Sequence, residues 1–294
     1  MDSDIIRAYK EAGSIAKQSL EFGSELIRKG AKVVEVLDKI ESKMIELGGK
    51  AAFPAQVALN ETAAHFCPEG HDPLVFEDQL VCLDVGVHVD GYVGDTALTV
   101  DLSGNHSDLV KASRDALNAA LEIVKPGVRL SLIGKAIEDT IQSFGFQPVR
   151  NLSGHGLGHF SVHTPPTIPN FDTKDSQILE KGQVIAIEPF ATDGIGLIQE
   201  KGRATVFSMT GKKSVRIGFV RDIQKEIDTF QNLPFTARWL TKKFSKAQVD
   251  FALKQFDQLN IIHSYPPLVE KQNGLVSQAE HSVLVDDEVI ILTK

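Results

Sequence analysis

Residues 79–88 and 92–101 are two runs rich in Val, Leu and Thr, and Asp90-Gly91 lies at the turn between them. An Asp-Gly pair between two such runs is a strong hairpin signal, because both residues tolerate the positive φ of a tight two-residue turn. With that turn, the numbers of opposed residues sum to 181. Asp84 then faces Ala97, and Gly86 faces Asp95. Asp84 and Asp95 become diagonal neighbours on one face of the sheet, with Cβ atoms about 7 Å apart or less. Both acids sit inside apolar runs, and a carboxylate buried there is costly unless it is paired or bound to metal. No Lys or Arg lies between Asp78 and Asp101. Pairing with a basic residue at a strand end is the ordinary alternative, and the hairpin offers none. Two such carboxylates can hold a pair of cations roughly 3.5–4 Å apart. Gly86, opposite Asp95, is expected to leave room for them.

Two further acids break apolar strands. Glu188 interrupts Val184-Ile185-Ala186-Ile187-Glu188-Pro189-Phe190, and Glu280 precedes His281-Ser282-Val283-Leu284-Val285. Four misplaced carboxylates suggest a metal cluster. Histidines add to it, since His155, His159 and His163 fall within nine positions beside several glycines. Imidazole suits first-row divalent metals. The i, i+4 spacing of His155 and His159 resembles a zincin helix, but no Glu follows His155 and the glycines argue against a helix. His65 is bland when taken alone.

Apolar periodicity predicts helices through Val33, Leu37, Ile40, Met44 and Leu47, over residues 107–125, and from Leu132 to Phe144 with Ser131 as N-cap. Further strands are expected over residues 183–190, 204–209, 279–285 and 288–293. Helices and strands come in blocks, which indicates an α+β chain with an antiparallel or mixed sheet. Of the 294 residues, 42% are hydrophobic and 24% charged, which excludes disordered and fibrous classes. No apolar run reaches the length of a membrane span, and the N-terminus lacks a secretory h-region, so a cytoplasmic protein is expected. Cys67 and Cys82 have no metal or redox spacing and read as reduced thiols. The net charge of −8 argues against nucleic-acid binding over the whole surface. Residues 210–262 differ, with ten Lys/Arg against five Asp/Glu and a helical pattern. They are expected to form a helical insertion between two strands of the main sheet.

The candidate ligands stand in the contexts Leu-Asp84-Val-Gly, Gly-Asp95-Thr-Ala, Ser-Gly-His155-Gly, Ile-Glu188-Pro-Phe and Ala-Glu280-His-Ser-Val. In this order and context they resemble the dinuclear site of the pita-bread metallopeptidases, which include methionine aminopeptidases, aminopeptidase P, prolidase and creatinase. The resemblance runs from the first helix to the last strand. The insertion between Glu188 and Glu280, with Phe53-Pro54, Asn60-Glu61 and Tyr265-Pro266-Pro267-Leu268, is similar to the type 2 methionine aminopeptidases in their short archaeal-like form. The stretch before the hairpin looks too short for the extra domain of prolidase, and no polybasic extension is expected.

The resemblance implies a pita-bread catalytic domain at 1–209 and 263–294, a helical insertion subdomain at 210–262, and removal of N-terminal methionine from nascent chains whose second residue is small. It implies two divalent ions drawn from Co, Mn, Fe or Zn. Asp84 would chelate one ion, Asp95 and Glu280 would bridge both, and His155 and Glu188 would complete the other shell. Glu188 would accept a proton, His163 would stabilise the oxyanion, and His65 would lie near the scissile amide. Phe53 and Val162 are candidates for the methionine pocket. An Xaa-Pro peptidase and a non-catalytic binding protein of the same fold are the alternatives. A monomer is expected. The basic insertion is either a solvated helical face or a weak contact to ribosomal RNA phosphates.

Overall fold

The computed structural model describes residues 1–294. Its centre is a nine-stranded sheet in which every pairing is antiparallel. The hairpin Leu80–Val89 and Tyr92–Asp101 lies toward one end of it, flanked on the outside only by two short strands. Next to it come Glu280–Leu284, Val184–Ile187, Ser153–Gly158 and Ser161–Pro169, in that order. Three smaller three-stranded sheets flank it.

Helices α1 (Ser3–Leu26) and α2 (Val33–Glu46) share one core with the odd positions of the first hairpin strand. There Ile15, Leu37, Ile40 and Met44 meet Val81, Leu83, Val85 and Val87. Strand alternation turns the even positions, including Asp84, to the other side. Helices α3 (Ser107–Ile123) and α4 (Leu130–Ser143) build a second core, where Leu109, Ile133 and Ile137 meet Ile185, Ile187 and Val283. Helix α1 has no strong apolar signal because its buried stripe is largely small: Ala8, Ala12, Gly13, Ala16, Ser19 and Gly23. The small residues allow close approach. A Cβ placed on Gly94 would lie 2.6 Å from the backbone nitrogen of Gly13.

Several local expectations are corrected. Helix α4 starts at Leu130 with Arg129 as its cap, while Ser131 donates its hydroxyl to the Asp175 carbonyl at 3.0 Å. The 183–190 run is two strands in different sheets, Val184–Ile187 and Phe190–Thr192. The break falls at Glu188-Pro189, where proline cannot donate to a ladder. Only Ile290–Ile291 is strand in the last segment. Helices α5 (Gly218–Asp228), α6 (Ala237–Leu240) and α7 (Lys246–Gln258) occupy the basic stretch. The strands on either side, Val206–Met209 and Ile262–Tyr265, pair with each other rather than joining the main sheet. A long excursion whose ends must meet closes most readily on its own antiparallel pair. Phe235, Ile223 and Phe256 give this region a core of its own.

Candidate metal centre

The hairpin register is the one the Asp-Gly turn dictates: Val89 pairs with Tyr92, Asp84 with Ala97, and Gly86 with Asp95. Asp90 and Gly91 carry φ of 50° and 89°, as such a turn requires. The ladder continues outward. Ala97 pairs also with Glu280, so Asp84, Ala97 and Glu280 form one row across three strands. Ala186 pairs with both Ser282 and His155. The Ser282 hydroxyl receives the Asp95 N–H at 2.8 Å and donates to the Asp95 carbonyl at 2.7 Å, which ties the rows together. Small side chains, Ala97, Ala186 and Ser282, separate the larger ones. Glu188 follows the last residue of its strand, where the chain leaves the sheet.

These residues converge at a cavity of about 230 Å³. His155 Nε2 lies 3.4 Å from Glu188 Oε1 and 3.9 Å from Asp95 Oδ2. Asp95, His155 and Glu280 each offer an atom within 4.8 Å of the others. Neither Lys nor Arg lines the cavity. Asp84 Oδ1 and Asp95 Oδ1 are buried with no hydrogen-bond partner. Burial pushes the Asp84 carboxyl up to about 7. Burial and then the neighbouring carboxylates hold Asp95, Glu188 and Glu280 well above the ordinary carboxylate range. Burial pushes the His155 ring down to about 3, with His163 adding to the effect. Like charges packed without a counter-charge, orphaned oxygens and a neutral imidazole form a donor set suited to divalent cations, so the residues fit the metal that the sequence implies.

His163 lies edge-on to His155 with ring centroids 4.4 Å apart. His65 is edge-on to Tyr265 at 5.4 Å, with Nδ1 buried and unpartnered. Burial brings the His65 ring down to about 4 and lowers His163 as well. Phe53 and Val162 line the same cavity. Gly86 plays a different part from the one expected. A Cβ there would run into the Phe53 ring, so the missing side chain makes room for Phe53 rather than for cations. His159 is turned away, with Nε2 2.9 Å from the Asp90 carbonyl and its ring 4.9 Å from Tyr92. Sequence reasoning missed Gln278 as a site residue and took Tyr265 only as part of a matching string. Gln278 stands two residues before Glu280, a spacing that could have drawn attention to it. Tyr265, whose hydroxyl is 3.0 Å from Ser208 Oγ, carried no chemical signal of its own.

Residues 7–219 match the profile of metallopeptidase family M24. The chain is 44% identical over 289 residues to a methionine aminopeptidase of Archaeoglobus fulgidus, covering 98% of this chain and 97% of that one. It is 40% identical over 285 residues to that of Methanocaldococcus jannaschii, covering 96% of each. Among solved structures, the methionine aminopeptidase of Thermotoga maritima superposes with TM-score 0.73 at 23% identity over 100% and 98% of the two chains. A thermophilic Arx1 superposes with 0.85 at 16% identity over 99% and 91%. These likenesses identify the architecture as the α+β pita-bread fold, and the chain belongs to metallopeptidase family M24.

Proposed function

We propose that this chain is a methionine aminopeptidase that removes the N-terminal methionine of nascent proteins and peptides by metal-assisted hydrolysis, favouring a small second residue. The observation that carries the reading is the convergence of four carboxylates, with no Lys or Arg among them, and His155 on one cavity shared with His65, His163 and an apolar wall. Asp84, Asp95, His155, Glu188 and Glu280 would hold two divalent ions, of Co, Mn, Fe or Zn. When bound, such ions polarise the scissile carbonyl and lower the pKa of a water to about 7. Glu188 would take up a proton on its carboxylate. His163, beside His155, would donate a hydrogen bond to the developing oxyanion, and His65 would orient the scissile amide. Phe53 and Val162 would receive the methionine side chain.

Residues 1–209 and 263–294 are proposed as the catalytic domain and 210–262 as the insertion. The reading places the protein in the cytoplasm as a monomer; no helix is long and apolar enough to cross a membrane. A ribosomal contact through Lys242, Lys243 and Lys246 has less support, because each is engaged by a carboxylate: Asp38, Glu226, and Glu69 with Asp250.

The test is hydrolysis of Met-Ala-Ser and of Xaa-Pro peptides by metal-reconstituted protein, with metal content measured in parallel. Cleavage of Met-Ala-Ser, lost in Asp95→Asn together with bound metal, supports the assignment. Cleavage of Xaa-Pro peptides alone, or near wild-type turnover with full metal in Asp95→Asn, overturns it.

A further inference from the structure

The insertion is joined to the body by a charge cluster that the proposed chemistry does not use. Arg238, on α6, is only 2% exposed. Its Nη1 donates to Asp38 Oδ1 at 2.5 Å and to Glu41 Oε2 at 3.0 Å, and its Nη2 donates to Glu41 Oε1 at 2.6 Å. Trp239 Nε1 donates to the same Glu41 carboxylate at 2.9 Å, and Lys242 to Asp38 at 2.9 Å. Asp38 and Glu41 belong to α2, some two hundred residues away in sequence. Burial disfavours the guanidinium charge, and the adjoining carboxylates more than restore it.

Buried ion pairs contribute little net stability compared with apolar packing of the same volume, because both charges must be desolvated. What a forked guanidinium on a carboxylate supplies is direction, since two parallel bonds fix the relative orientation of the two elements. The element being oriented leads into the cavity. Four residues before Arg238, Pro234 lines the same cavity as Phe53 and Val162. Leu233, 2% exposed, packs in one apolar cluster with those two residues. Between Pro234 and Arg238, Phe235–Thr236 pairs with Val206 and Phe207, and Val206 also lines the cavity. The insertion therefore supplies part of the apolar wall, and the segment that carries it is tied to α2 through Arg238.

We propose that Arg238 is a positioning residue for the substrate side-chain pocket: its fork on Glu41 and Asp38 holds Leu233 and Pro234 against Phe53 and Val162 and so sets which first residue is accepted. This rests on the aminopeptidase reading for the identity of the preferred side chain, but not for the existence of a side-chain preference.

The test compares wild type with Arg238→Lys, which keeps the charge and loses the fork, and with Glu41→Gln, which keeps an acceptor and loses the charge. Peptides Xaa-Ala-Ser and Xaa-Pro, with Met, norleucine, Leu or Phe as the first residue, are assayed alongside thermal melting and metal content. A hydrophobic pocket that loses its fit loses discrimination on the order of tenfold. The expected result is a KM for the preferred peptide raised roughly tenfold with kcat nearly unchanged, and a preferred-to-disfavoured ratio compressed by about the same factor. A lowered melting temperature with an unchanged ratio in whichever variant folds would show a purely structural clamp and overturn the proposal. Wild type that prefers a residue other than Met overturns the aminopeptidase reading while the ratio still tests the clamp. Wild type with no side-chain preference overturns both.

Discussion

The Gln278 side-chain amide nitrogen lies 3.2 Å from Glu188 Oε2 and 3.5 Å from Glu280 Oε2, so one NH₂ group spans two proposed ligands. Gln278 is itself 3% exposed and fixed through its backbone. Its N–H donates to Thr99 Oγ1 at 2.9 Å, and its carbonyl accepts from the same hydroxyl at 2.8 Å. Residues that orient metal ligands from behind typically cost 10–100-fold in affinity or activity when removed. Gln278→Leu should weaken metal binding, measured by isothermal titration, by roughly that factor with little change in melting temperature of the metal-free protein. Unchanged affinity would show that the amide is incidental to the site.

His163 lines the cavity but has no carboxylate partner, whereas His155 faces both Asp95 and Glu188. His163→Ala should therefore retain its metal and lose about 10²–10³ in kcat, the usual cost of one oxyanion donor. Loss of metal along with activity would make His163 a ligand and revise the shell.

The carboxylate cluster gives the metal-free protein a distinctive response to pH. In the unfolded chain these acids titrate near about 4. In the fold, Asp84 is raised to about 7, and Asp95, Glu188 and Glu280 are raised well above their ordinary values. The folded state thus holds protons that the unfolded state has released, so stability falls as pH rises through the folded values. The buried histidines act in the opposite sense. Their pKa values are lowered in the fold, so they favour folding as pH rises toward their unfolded value of about 6.5 and have no further effect above it. The window that isolates the carboxylates opens at about pH 6.5, where the histidines stop contributing, and runs up through the folded value of about 7 for Asp84. Chelator-treated protein should lose melting temperature across that window, and the gap to Mn²⁺- or Co²⁺-loaded protein should widen. A gap that stays constant or narrows would mean that the acids are not held together as described.

The sequence made the hairpin part of the site legible, and the reason is physical. A two-residue turn leaves no freedom of register, so Asp84 and Asp95 could be placed on one face by counting. Glu188 and Glu280 were visible as acids in apolar runs, but not as the points where the chain passes between sheets, because that depends on which distant strands pair. Gly86 was misjudged for the same reason. The space above it is claimed by Phe53, which reaches it from a loop that no local pattern positions. Helix α1 escaped notice because close packing against Gly94 selects small residues, which blunts the apolar periodicity. The basic stretch looked cationic as a string, yet many of its lysines pair with acids, among them Asp38 and Glu69 outside the stretch itself.

Gly86 also yields the most local test of the pocket. The Phe53 ring occupies the volume a Cβ would need, and Phe53 is 4% exposed within the cluster that contains Val162 and Leu233. Strand geometry is not at issue, because Gly86 has no positive φ and alanine fits its backbone. Gly86→Ala must therefore push the ring aside, and overpacking of this kind costs typically about 1–3 kcal/mol. The displaced ring moves toward the cavity, since Phe53 lines it. Asp95 is the ladder partner of Gly86, but its backbone N–H and carbonyl are also held by the Ser282 hydroxyl and no metal residue pairs with Phe53, so metal content should be kept. The expected outcome is a raised KM for methionyl peptides with near-normal metal stoichiometry. Phe53→Leu combined with Gly86→Ala should recover part of the loss by vacating the space. If Gly86→Ala alone binds methionyl peptides as well as wild type does, the ring is not part of the pocket wall.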